Sequence, residues 1–339
     1  MDTYNSFEEK DQYFKFGGLK IDTDKDFKHY SLWLQVQFSK EDFIFRGVPE
    51  AKYKIFSSAQ RKWHEIASKT DDYFDEEKYD NFIISLMKKC KEWNLGTVPN
   101  LLNTYNINEN NAIAYLSFMQ HYEMPTPLID FTKKPNKALF FAVNSIPDKI
   151  SESSIEINNY FSIYYAYQTN PAYEIFKHIF DENRENNVNG EFNYEDLTKN
   201  GITLITDRID EFKIVNNIRI ANQEGLFFYN NSPYLSIEEQ YKEFSDLLLL
   251  EIGKEELEKL LIPDTFAGCL NFHKKYAKHI KEILNQMQIT SEFIYPEIND
   301  LKKYLQNFVD EKTEKNFSII RHLAKWWVQL ARFHNAAKH

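Results

Sequence analysis

The chain has 339 residues, 42% of them hydrophobic, enough to bury a sizeable core in one large or two smaller domains without covalent staples. Its formal charge of -10 argues against non-specific nucleic-acid binding, and no run approaches the ~18 consecutive apolar residues of a membrane span. The two cysteines, Cys90 and Cys269, stand far apart and outside any Cys-x-x-Cys spacing, so neither a disulfide framework nor a thiolate metal site is indicated and a reducing cytoplasm is the expected location. The acidic, polar opening MDTYNSFEEKDQYF lacks the basic and apolar regions of a leader.

No repeat and no Pro-rich or Gly/Ser-rich linker divides the chain, so one principal domain is expected. Residues Asp42 to Arg46 alternate as a strand that ends at Gly47, with Pro49 breaking regular structure beyond. From Asn111 to Gln120, Ile113, Leu116, Phe118 and Met119 recur at helical spacing, which puts Gln120 and His121 at a helix end. Thr132 is a candidate N-cap for a helix that begins near Pro135 and continues through Ala138, Phe141 and Ala142, and this places Asp130 at a loop-to-helix junction.

Strands are predicted over Phe161 to Tyr167, Leu226 to Tyr229 and Cys269 to Phe272, and the polar stretch from Asp181 to Asn193 reads as a surface loop or insertion. A helix follows from Lys274 to Met287 with Ile280, Ile283, Leu284 and Met287 on one face. In the tail, Phe317 to Phe333 carries Ile319, Leu323, Trp326, Trp327 and Leu330 on a helical stripe that packs either on the body or on a partner. The 16% aromatic content is spread over the whole length and reads as core and strand residues rather than base-stacking platforms.

Three separated stretches resemble the FRG-domain family. The first is Phe43-Ile44-Phe45-Arg46-Gly47 with Arg61 downstream. The second runs from Gln120-His121-Tyr122-Glu123-Met124-Pro125-Thr126-Pro127 through Leu128-Ile129-Asp130-Phe131-Thr132 to Pro135 and Ala138-Leu139-Phe140-Phe141-Ala142. The third is Arg219-Ile220-Ala221-Asn222-Gln223-Glu224-Gly225-Leu226-Phe227, and Phe293-Ile294-Tyr295-Pro296-Glu297-Ile298 is similar to the family's ending. Glu123 stands where the family has glycine, and Pro127 where it has arginine.

The resemblance spans residues 25–308 and implies an α+β domain there, with the polar insertion at 181–193 inside it, an N-terminal extension over 1–24 and an amphipathic C-terminal helix over 309–339. It implies a mixed or antiparallel central sheet flanked by helices. The block order is also similar to that of ADP-ribosyltransferases, in the series Arg46-Gly47, Asp130-Phe131-Thr132 with Phe141-Ala142, and Gln223-Glu224. That likeness implies NAD as the cofactor or substrate, and the FRG resemblance implies a role as a bacterial toxin or anti-phage effector; His121 and Asp130, without characteristic ligand spacing, indicate no metal site.

Read as chemistry, Arg46 offers a planar fork of donors to a phosphate or carboxylate, and the glycine after it lets a ligand approach the backbone. The competing reading is a buried ion pair with Asp130. His121, Asp130 and Glu224 are the candidate catalytic groups, with Glu224 standing in for the late catalytic acid of the transferase order. Arg46, Gly47, Gln120, Thr126, Thr132, Arg219 and Gln223 are the candidate ligand contacts, with capping and turn-making roles as the alternative for Thr126, Asp130 and Thr132. The expected partners are a nucleotide-type small molecule and a macromolecular acceptor or protein partner, with no membrane. The ATPase, zinc-protease and serine-hydrolase motifs are missing from the sequence. Two classes of function stay open: an NAD-dependent transferase or glycohydrolase, and a non-catalytic sensing or interaction module.

Overall fold

The computed structural model describes residues 3–37, 43–68, 72–104, 106–108, 110–168, 202–205 and 218–295. It has an α+β architecture: one mixed sheet flanked by helices. The strands are β1 (Phe14–Lys15), β2 (Lys20–Ile21), β3 (Phe43–Val48), β4 (Leu128–Thr132), β5 (Tyr160–Tyr167), β6 (Ile202–Ile205), β7 (Gly225–Asn230) and β8 (Ala267–His273). Their order is β1-β8-β5-β3-β4-β7-β6, with β2 also on β8. Only β1 and β2 run parallel to their neighbour; the other pairings are antiparallel.

The sheet is not evenly zipped. β3 pairs with β5 over six positions, from Phe43↔Tyr167 to Val48↔Ser162, and β4 pairs with β7 over five. Between β3 and β4 a single position, Phe45↔Thr132, is in register. The two halves of the sheet therefore part just past Phe45, at the level of Arg46 and Asp130.

Strand alternation assigns the faces. Ile44, Ile129, Phe131, Tyr164 and Phe228 pack on one face against Tyr4, Phe7 and Phe14 from the N-terminal segment and Ile237 and Tyr241 from the Ile237–Ile252 helix. On the other face Phe45 and Ile163 pack under Ala138 and Ala142 of the Pro135–Val143 helix. Leu128, Phe227 and Tyr229 pack there under the Ala112–His121 helix, which is buried almost all round and is capped by Asn111. Two helices thus cover the two halves of one face, and the split in the sheet lies between them.

Gly47 fixes the first helix. A Cβ on it would come within 1.8 Å of the Ala138 carbonyl oxygen and 2.9 Å of the Ala142 nitrogen. The glycine therefore admits a helix of this chain, whereas a ligand was the expected visitor, and it explains why the Ala-Leu-Phe-Phe-Ala run accompanies Phe-Arg-Gly in one sequence.

The strand and helix expectations hold with shifted ends. The first strand runs through Gly47 to Val48, and the helix expected from Lys274 begins as a short 3-10 turn before Ala277–Gln286. Three placements are corrected. Thr132 closes β4 and does not cap the following helix, whose N-cap is Lys134; its hydroxyl instead accepts from the Lys134 amide at 3.1 Å. Asp130 lies inside β4, because Ile129 and Phe131 are both buried core residues and carry the strand straight through it. Met287 is 48% exposed, one residue past the end of its helix.

The N-terminal residues are not an appendage. They supply β1, β2 and the buried Tyr4, Phe7, Lys10 and Phe14, because β8 would otherwise be an open edge. The polar stretch 181–193 and the C-terminal segment 309–339 lie outside the described residues. No helix of the described residues is long and apolar enough to cross a membrane.

Candidate functional site

A cleft of about 380 Å³ opens where β3 and β4 part. Its walls come from β3 (Phe45, Arg46, Gly47), β4 (Asp130, Phe131, Thr132), the end of the Ala112–His121 helix (Gln120, His121) and the turn after it (Glu123, Met124). Ser58, Phe141, Arg219, Ile220, Gln223 and Tyr295 complete it.

Arg46 is held in an unusual way. Alternation places it with Ile44 and Val48 on one face, whereas Asp130 belongs with Leu128 and Thr132 on the other. The two residues meet only because the strands separate. Arg46 Nη1 donates to the Asp130 backbone carbonyl oxygen at 2.6 Å, a side-chain donor across a gap where the strand ladder has stopped. The competing reading, an Arg46–Asp130 carboxylate ion pair, is not what forms.

Nε of Arg46 is buried without a hydrogen-bond partner, and the Nε–Nη2 edge of the guanidinium makes no hydrogen bond. A donor left unpaired out of reach of water costs about 1–3 kcal/mol. Burial also lowers the Arg46 pKa from its usual value, against the opposing pull of Asp130.

Asp130 is held from a different direction. Gln120 Nε2 donates to its Oδ2 at 2.9 Å, and Gln120 is oriented by the Thr126 hydroxyl, which donates to Gln120 Oε1. Thr126 is itself fully buried and tied to Ser58, whose Oγ accepts from the Thr126 amide at 3.0 Å. Burial raises the Asp130 pKa from its usual value, with Arg46 and then the Gln120 hydrogen bond pulling it back.

The far wall comes from much later in the chain. Arg219 Nη1 donates to the His121 carbonyl at 3.1 Å, and its guanidinium lies 5.6 Å from the centre of the Tyr295 ring. Gln223 Nε2 donates to the Ile294 carbonyl at 3.4 Å, while the Gln223 carbonyl accepts from the Thr132 hydroxyl at 2.6 Å.

Eight of the ten candidate residues line the cleft: Arg46, Gly47, Gln120, His121, Asp130, Thr132, Arg219 and Gln223. Thr126 stands behind Gln120, and both threonines make the turn contacts that were the alternative reading. Glu224 is not part of the lining. It follows the Ile218–Gln223 helix with a left-handed φ of 45°, and its carboxylate is bound by Lys137 at 2.9 Å and by Lys134 at 3.5 Å. Gln223 and Glu224 are thus a helix end and a turn.

Tyr295, Met124, Phe141 and Glu123 line the cleft without having been assigned a role. All four sat inside the motif stretches, so the signal was present. Glu123 has φ 58°, in the left-handed region where glycine is unstrained, which gives the family's glycine at this place a conformational reason. Pro127 is buried and does not line the cleft. Among the described residues no group of three or more His, Cys, Asp or Glu could hold a metal ion.

No curated protein and no solved structure matches the chain. The model of the FRG domain matches residues 41–150, a narrower span than the 25–308 over which the motifs were read. It takes in Arg46, Gly47, Gln120, His121, Thr126, Asp130 and Thr132, and leaves the Arg219, Gln223 and Tyr295 wall to the chain beyond it. The chain thus carries an FRG domain over residues 41–150, the span that holds β3, β4 and the helices that flank them.

Proposed function

We propose that the cleft binds a nucleotide-type ligand and that Arg46 grips its phosphate. The observation that carries this reading is the Nε–Nη2 edge of Arg46, which makes no hydrogen bond although Nε is buried. That edge matches two oxygens of a phosphate, and a charge-assisted bidentate contact recovers the cost of the unpaired donor. Arg219 adds a second positive charge, and Phe45, Phe131, Phe141, Met124 and Ile220 supply the apolar lining expected of a small-molecule site.

Turnover of NAD is the catalytic form of this proposal, and a toxin or anti-phage role would follow from it. The carboxylate that stabilises the oxocarbenium ion as nicotinamide leaves would be Asp130, with His121 beside it, since Glu224 is engaged by two lysines outside the cleft. That engagement of Glu224 favours the second reading, a non-catalytic sensing module using the same cleft. One experiment separates them. Purified protein is incubated with NAD, and nicotinamide release and the ligand-induced rise in melting temperature are both followed. Release that is lost in Asp130→Asn supports catalysis; a thermal shift without release supports sensing. Neither signal with NAD or any mononucleotide would sink the phosphate-binding proposal.

A further inference from the structure

Tyr295 enters the cleft from a short, well-anchored turn. Ile294 before it is fully buried, the Phe293 carbonyl accepts from Asn222 Nδ2 at 2.9 Å, and the Ile294 carbonyl accepts from Gln223. The ring is therefore held by backbone contacts and does not depend on a bond to its own hydroxyl. Phe140 and Phe141 approach it at centroid distances of 6.2 Å with interplanar angles of 55° and 67°, so neither lies flat on a face. The Arg219 guanidinium lies over the ring at 5.6 Å. Neither phenylalanine is stacked on the ring, a cation lies over it, and the residue still lines the cleft.

We infer that the Tyr295 ring, where it lines the cleft, is the stacking platform for a planar ring of the ligand, so that the site takes a nucleotide in preference to a sugar phosphate or inorganic phosphate. This rests on the phosphate-binding reading of Arg46 and deepens it. A cation on one face of an aromatic ring is held by its quadrupole, and a flat heteroaromatic ring packs on the other face with no hydrogen-bond demand. Stacking of this kind tolerates different bases, because every base has a π-face. Selectivity then lies between ligands with a ring and ligands without one.

The test uses the full chain and two probes that share a ribose phosphate, AMP and ribose 5-phosphate, titrated by calorimetry into wild type, Tyr295→Phe and Tyr295→Leu. Wild type and Tyr295→Phe should both prefer AMP by at least about tenfold, the scale of one stacked base. Tyr295→Leu should lose that preference while keeping its ribose 5-phosphate affinity, which also reports that the variant is folded. Equal affinity of the wild type for the two probes, or an undiminished preference in Tyr295→Leu, overturns the role of Tyr295 and leaves phosphate binding intact. Binding of neither probe removes the phosphate reading and this inference with it.

Discussion

Two buried cations sit at the same sheet, and their fates differ. Lys10, fully buried on the Phe7–Lys10 helix, directs its ammonium at the Ala51 carbonyl (2.8 Å), Ser162 Oγ (2.8 Å) and Asn271 Oδ1 (2.9 Å). Three donors meet three acceptors, and the Tyr164 ring lies 4.9 Å from the ammonium. Arg46, two strands from β8 and paired through Gly47 and Val48 to the same β5, has five donors and spends one of its hydrogen bonds on a backbone carbonyl, with Nε left over. A saturated buried cation holds a fold together. An unsaturated one beside a cleft is what the proposed phosphate contact would complete.

That contrast is sharpest where the structural cation is removed. Lys10→Met should strand the Ala51 carbonyl and leave Asn271 Oδ1 and Ser162 Oγ only the bond between them and the Cys269 contact, so at about 1–3 kcal/mol for an acceptor left unpaired it should lower stability by roughly 2–3 kcal/mol in denaturant titrations. A loss below about 1 kcal/mol would mean that the network repairs itself, and the argument from saturation would fail at its structural end.

The pH dependence of binding is a smaller effect and reads the other end. Burial raises the pKa of Asp130, so its carboxyl takes up a proton at a higher pH than an ordinary aspartate as the solution is acidified. The cleft walls carry Arg46 and Arg219 against Asp130 and Glu123. Protonation of Asp130 removes one negative charge facing the phosphate, so affinity for a nucleotide should rise as pH falls through the raised Asp130 pKa. Above that pKa affinity should level off. Asp130→Asn should flatten the profile at its low-pH value, by a few-fold overall; a profile unchanged in the variant would remove Asp130 from the site. The same raised pKa means that folding with Asp130 charged is disfavoured, so this residue contributes less stability as pH rises from its unfolded toward its folded pKa.

The sequence carried the central block well. From Asn111 to Ala142 the apolar spacing, Pro125 and Pro135 locate a helix, a turn and a second helix within a residue or two of the observed ends. What it could not carry depends on groups far apart in the chain. Lys10 looks like a solvated charge in an acidic, polar stretch until Ala51, Ser162 and Asn271 are seen around it. Glu224 looks like a catalytic acid until Lys134 and Lys137 reach it. Gly47 marks a close approach in either reading, but only the three-dimensional arrangement names Ala138 as the visitor. The split between β3 and β4, which creates the cleft, has no local signature at all, since both segments are ordinary strands.

Stability and binding measured together on Arg46→Met test the central claim most directly. Replacing a buried, incompletely bonded guanidinium by an apolar chain of similar length should change stability by about 1 kcal/mol or less, because removing the unpaired donor offsets the loss of the bond to the Asp130 carbonyl. The melting-temperature rise that a nucleotide gives in the wild type should vanish. The opposite pair of results, a variant that unfolds or loses several kcal/mol yet still binds the nucleotide when folded, would make Arg46 a second Lys10 and contradict the account.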